Sequence, residues 1–233
     1  MQTLRDYTSS SIGKKQIVAV TGFLLIFYII IHLAGNCFIF WGPKAFNAYA
    51  HKLHSLRPFL YVVEAGLAAV FIIHIYFTYL VVLENIKARG GLKRYAVYQP
   101  AGERSLATRL TPYTGTFLFA FVIWHLLDFT FINHEGPRGV MPTGINLGLY
   151  GIVYNAFINP IHSILYILAM GCLGFHLTHG IHSMIQTFGY NHPRYTPMIR
   201  YLGVIFGIVI AVGYSLIPIF VMLHYAKYIV GTN

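Results

Sequence analysis

"VTGFLLIFYIIIH" (Val20–His32) and "YTGTFLFAFVIWH" (Tyr113–His125) decide how this chain is read. Each contains Thr-Gly, climbs an apolar ladder, and ends on a histidine ten residues after the glycine. The chain has 233 residues, of which 57% are hydrophobic and 9% charged. Its mean hydropathy is +0.63. Soluble domains carry about 25% charged residues, so a bilayer is the expected solvent. Five apolar runs reach the roughly 20 residues a spanning helix needs: about 17–41, 58–85, 111–133, 160–187 and 200–226. A spanning backbone must satisfy its own hydrogen bonds, and these runs are too long for barrel strands. The expectation is an all-α polytopic membrane protein forming a single transmembrane domain over 1–233. Its first run lacks a small-x-small cleavage site and reads as a spanning helix rather than a leader.

The net charge of +10 follows topology rather than nucleic acid. Arg5, Lys14, Lys15, Lys87, Arg89, Lys93, Arg94, Arg104, Arg109, Arg194 and Arg200 fall on one side, eleven of the sixteen Lys and Arg. Lys44, Lys52, Arg57, Arg138 and Lys227 fall on the other. The positive-inside rule then puts the N-terminus in the cytoplasm and the C-terminus outside. Cys37 and Cys172 form no C-x-x-C or C-x-x-C-H pattern and read as packing residues. The polar segment between the second and third runs carries turn signals and basic residues, suiting an anionic lipid surface or a soluble partner. The loop "NHEGPRGVMPTGINLGLYGIVYNAFINP" is expected to fold back over the outer mouth of an up-down bundle.

Twelve histidines accompany only six acids. His51, His54, His134, His192 and His224 read as loop or helix-end residues. His32, His74, His125, His176 and His179 lie within spanning runs and His182 near the end of one; intramembrane ionisable residues point to function. His32 and His125 stand about fifteen residues into the first and third helices, roughly 22 Å from the cytoplasmic edge. His74 and His176 stand about sixteen residues into helices of opposite direction, nearer the cytoplasm. In an up-down bundle the first and third helices are diagonal, as are the second and fourth, so each pair can face across a central space. Two stacked b haems, each with two axial imidazoles, suit that arrangement, and such iron transfers electrons rather than binding substrate. Gly22 and Gly115 are expected to let a macrocycle approach the backbone. In "FHLTHGIHS", depth favours His176 over His182, and periodicity leaves His179 open.

Taken with "TGFLLIFYIIIHLAGN", "KAFNAYAHKLHSL", "IIHIYFTYLV", "TGTFLFAFVIWHLLD" and "GFHLTHGIHSMIQTFG", the chain resembles a known family from about Ser11 to Tyr225. This is the family of dihaem cytochrome b membrane anchors of succinate:quinone oxidoreductases and quinol:fumarate reductases. Its pattern has a ligand histidine four residues before a glycine, which selects His176 with Gly180. The resemblance implies His32 and His125 on a distal haem, and His74 and His176 on a proximal one. It also implies cytoplasmic flavoprotein and iron–sulfur subunits, with menaquinone or ubiquinone as the membrane substrate. Complexes of a bacterial or archaeal inner membrane, able to associate with one another, are the corresponding assembly. Dicarboxylate chemistry would belong to the partners, because the chain has no dinucleotide-binding fingerprint. Some fumarate-reducing members carry a glutamate where this chain has Gly174.

A quinone slot needs hydrogen-bonding groups beside an apolar wall. The outer candidates are Asn36, His51, His54, Glu64 and Asp128; the inner ones are Ser10, Ser11, Lys14 and Arg109. Rival readings are a dihaem anchor of hydrogenase or formate dehydrogenase type, a histidine-lined proton or metal transporter, and a docking anchor without haem.

Overall fold

The computed structural model describes residues 3–88, 106–133 and 136–231. Much of the polar connection after the second spanning run, and His134, lie outside them. The described residues are helical apart from short turns and one isolated bridge between Val140 and Asn146. A short helix α1 (Leu4–Ser9) is closed by a Thr3–Asp6 capping box. Ser10 then caps α2 (Ser11–Asn36), accepting from the Gly13 amide. A 3-10 turn over Cys37–Trp41 ends at Gly42, whose φ of 85° is left-handed, and Pro43 opens α3 (Gly42–His54). The other helices are α4 (Arg57–Ala88), α5 (Leu106–Phe129), α6 (Gly148–Ile158), α7 (Pro160–Thr187) and α8 (Thr196–Gly231).

Five stretches are long and apolar enough to cross a membrane: α2 with its continuation into α3, α4, α5, α7 and α8. Large side chains such as Phe23, Phe27, Ile72, Tyr76 and Ile208 are half exposed or more, the surface a bilayer covers. The chain is an all-α, multi-pass membrane protein. Its first expected run, 17–41, ends as an α-helix at Asn36. The second, fourth and fifth runs fall within a few residues of α4, α7 and α8, while α5 begins at Leu106 and ends at Phe129.

α2 packs on α4 and α7, and α5 packs on α7. α4 and α5 meet through Phe71 and Phe119, ring centroids 6.3 Å apart. The first and third spanning helices are therefore diagonal, as expected. α8 lies along α7, where Gly174 and Gly207 bring the backbones together. It also reaches α2, with Tyr214 Oη donating to the Ile29 carbonyl at 2.8 Å.

The densest packing lies at the end away from the α2 N-terminus, termed here the far face. Ile39, Phe46, Tyr154, Phe157, Ile217 and Val221 are buried there together. Asn47 of α3 clamps α6: its Nδ2 donates to the Leu147 carbonyl and its Oδ1 accepts from the Tyr150 amide. The described part of the loop before α7 folds back over this face, and does so as the helix α6.

Candidate functional site

His32 of α2 and His125 of α5 meet across the bundle, ring centroids 5.9 Å apart and planes at 85°. Bonds of about 2.0–2.1 Å from a metal to two imidazoles imply centroids about 6 Å apart. The Tyr28 ring stacks on His32 at 5.3 Å, and Phe121 and Phe129 flank His125 at 6.0 and 5.4 Å. His125 Nδ1 is buried with no hydrogen-bond partner, and His32 Nδ1 is 3.5 Å from Tyr28 Oη.

His74 of α4 and His176 of α7 are set differently, and alike. His74 Nδ1 is 3.0 Å from Thr21 Oγ1, and His176 Nδ1 is 3.1 Å from Thr114 Oγ1. Each hydroxyl gives its proton to a carbonyl of its own helix, Ile17 at 2.7 Å and Thr111 at 3.0 Å. With its proton on the helix carbonyl, each hydroxyl oxygen is placed to accept from an imidazole Nδ1–H, an arrangement that would leave Nε2 with its lone pair; the His74 ring also meets the Val18 carbonyl.

Each Thr-Gly glycine abuts one of these imidazoles. A Cβ on Gly22 would stand 3.3 Å from His74 Cε1, and one on Gly115 would stand 3.4 Å from His176 Cε1. The neighbour of each glycine is thus an imidazole of the other histidine pair. The roles of Thr21 and Thr114 were missed; their signal was present as the first letter of each Thr-Gly.

Down α7, His179 Nδ1 is 3.1 Å from Thr108 Oγ1, and His182 Nε2 accepts from Arg200 Nε at 3.3 Å. Of the three, His176 alone shares His74's combination of threonine and adjacent glycine. Among the described residues no three or more His, Cys, Asp or Glu side chains converge. The donor sets are pairs of imidazoles. Two imidazoles are the axial donors that a b haem takes. Cys37 and Cys172 are free thiols.

The far-face quinone candidates each have their own partners and settings. Asn36 Nδ2 donates to the His32 carbonyl on its own helix. His51 and His54 lie exposed in the last turn of α3. Glu64 faces Arg57 across 4.0 Å on a half-exposed surface. Asp128 stands apart from these: it accepts from Tyr166 Oη at 2.7 Å and lies 3.3 Å from His162 Nε2. With Arg138, Asn155 and His162 it lines a cavity of about 350 Å³ under α6. His162 escaped the sequence reading; its signal was a histidine three residues after Asn159, the residue that caps α7.

At the N-terminal face, Ser10 is used as a cap and Ser11 and Arg109 are exposed. Lys14 pairs with Glu84 of α4 and donates to the Ser9 carbonyl.

Compared with protein-family models, curated proteins and solved structures, the chain matches none.

Proposed function

We propose that the chain is the electron-carrying membrane anchor of a respiratory complex that interconverts succinate and fumarate, with two b haems among its first four spanning helices. The observation that carries this reading is the set of four intramembrane histidines on four helices. One pair faces ring to ring at 5.9 Å, and the other sits in matching Thr-Gly settings. When bound, haem would supply a one-electron ferric–ferrous couple. His32 and His125 would hold one haem, and His74 and His176 the other. Tyr28, Phe121 and Phe129 exclude water around the first pair, and Thr21 and Thr114 orient the second.

The N-terminal face, where Arg5, Lys14, Lys15, Lys87, Arg109, Arg194 and Arg200 fall, would be cytoplasmic and would receive the iron–sulfur and flavin-bearing partners. Membrane quinone would react at the far face, where Asp128 offers a carboxylate beside an apolar wall. The membrane would be a prokaryotic inner membrane. The runner-up, a dihaem anchor serving a hydrogenase or formate dehydrogenase, shares the haem ligands and differs in what co-purifies: flavin, nickel or molybdenum.

The test is haem b per polypeptide in purified protein, by pyridine haemochrome. The expected result is two, falling to one in each of His32→Ala, His74→Ala, His125→Ala and His176→Ala. Well-folded wild type without haem would overturn the reading.

A further inference from the structure

We propose that the two Thr-Gly steps are seats, each fixing the tautomer and ring orientation of one histidine: Thr21–Gly22 for His74, and Thr114–Gly115 for His176. The proposal rests on the reading of these histidines as haem ligands, and its geometry stands apart from that reading.

A threonine that returns its hydroxyl proton to its own helix is ordinary in a membrane helix. Thr116 and Thr178 do so at 2.9 and 3.0 Å. The back-bond is therefore not the signal. What recurs is a back-bonded hydroxyl whose oxygen meets an imidazole Nδ1 of the next spanning helix, with a glycine immediately after the threonine. The distances repeat within 0.1 Å, 3.0 and 3.1 Å to Nδ1 and 3.3 and 3.4 Å from the would-be Cβ to Cε1.

Each part has a separate task. While its proton stays on the helix carbonyl the hydroxyl oxygen acts as an acceptor, which favours the Nδ1–H tautomer and leaves Nε2 free for a metal. The missing side chain lets the Nδ1–Cε1 edge of the ring rest on the backbone, which fixes its direction. Such partners orient metal-ligating histidines and raise their basicity. The far pair lacks the device: His125 Nδ1 has no partner and Tyr28 Oη stands 3.5 Å from His32 Nδ1. The two ends of the bundle thus differ: threonine–glycine seats hold the imidazoles towards the N-terminal face, while beyond it His32 Nδ1 has only Tyr28 of its own helix and His125 Nδ1 has no partner.

Thr108 Oγ1 likewise stands 3.1 Å from an imidazole Nδ1, that of His179, but Arg109 follows it instead of glycine. That makes it an internal control for the hydroxyl without the glycine.

The experiment compares Thr21→Val and Thr114→Val with Thr21→Ser, Thr114→Ser and the exposed control Thr116→Val. In purified protein the valine variants should keep two haems per chain. The low-spin electron paramagnetic resonance signal of one haem should shift and its midpoint potential rise, because the ligand loses an electron-donating hydrogen bond. Serine should restore both, and the second haem should not change. A haem-independent arm records ¹⁵N spectra of histidine-labelled protein purified without haem. There Thr21→Val should move the Nδ1 resonance of His74 alone, and Thr114→Val that of His176 alone. Unchanged ¹⁵N spectra in folded valine variants would overturn the seats whatever the haem content. Haem-free wild type with the expected ¹⁵N shifts would instead overturn the proposed function and leave the seats standing. If a valine variant fails to fold, its serine partner decides: wild-type spectra support the seat, and an altered Nδ1 resonance overturns it.

Discussion

Gly22 of α2 lies directly against His74 of α4, so that a Cβ at position 22 would stand 3.3 Å from the imidazole Cε1, and Gly115 repeats the relation with His176 at 3.4 Å. These spacings are tight without being prohibitive. Gly22→Ala and Gly115→Ala need the ring to move by only a few tenths of an ångström and should keep haem. Gly22→Leu and Gly115→Leu must displace the imidazole. Each leucine variant is expected to lose one haem of two by pyridine haemochrome, with the His32–His125 site retained.

Gly174 makes a different kind of contact. A Cβ there would stand 2.5 Å from the Gly207 carbonyl oxygen and 2.8 Å from Ala211 Cβ. No carboxylate could enter this α7–α8 seam without parting the helices. Small residues that let backbones approach are the usual means of joining membrane helices, so the position serves packing. Gly174→Ala should cost about 1–3 kcal/mol, the usual range for overpacking. The check is thermal unfolding in detergent, and Gly174→Glu should fail to accumulate as folded protein.

Hydropathy made the spanning helices legible, and the cost of an imidazole in lipid drew attention to the histidines. The depths of His32 and His125, counted from helix starts, placed them level, and they meet. Besides the six-residue α1, two helices went unread for physical reasons. α6 has eleven residues, too few to span, and its Gly- and Asn-rich flanks read as loop. α3 has thirteen residues, with one apolar face and one basic, so it raises no peak in a window tuned to 20. The partners of Thr21, Thr114 and Asp128 lie 53, 62 and 38 residues away, on other helices. Only the packed bundle brings them together.

The Lys14–Glu84 pair ties α2 to α4 at the N-terminal face, and its two ends are unequally covered. The Lys14 side chain is 10% exposed and that of Glu84 43%. Removing the exposed partner strands a buried ammonium, and removing the buried one leaves a carboxylate that water can reach. Glu84→Gln should therefore destabilise more than Lys14→Met. The expected costs are about 1–2 kcal/mol, below the fully buried case because Glu84 is half solvated, against less than about 1 kcal/mol. Equal melting shifts in detergent would contradict the asymmetry.

Asp6 responds to pH through its capping box. Hydrogen bonds from the Thr3 side chain, then from its backbone amide, hold the carboxyl below its ordinary 3.8. A lowered folded value means the stabilisation is present above pH 3.8 and is lost as pH falls through the folded value. α1 should fray in that acid window while the spanning helices persist. Hydrogen exchange at the Asp6 and Tyr7 amides reads this directly, and Thr3→Ala should produce the same fraying at neutral pH.

Asp128 carries the remaining prediction, because it sits one helical turn beyond His125 and lines the far-face cavity with His162, Arg138 and Asn155. Its Oδ2 already accepts from Tyr166 Oη, and His162 Nε2 stands 3.3 Å away without a hydrogen-bond partner. A quinone reduced or oxidised here must exchange protons with a group at its oxygen, and the carboxylate–imidazole pair can do so. Asp128→Asn preserves the volume and the bond from Tyr166 but removes the charge and the proton site. If the pair acts as acid and base, quinone turnover should fall by about 10²-fold, the lower range for such catalysis. Haem content and dicarboxylate activity with an artificial electron carrier should stay at wild-type values. Quinone turnover unchanged in Asp128→Asn and in His162→Gln would move the quinone elsewhere, while both activities falling together would assign Asp128 to structure.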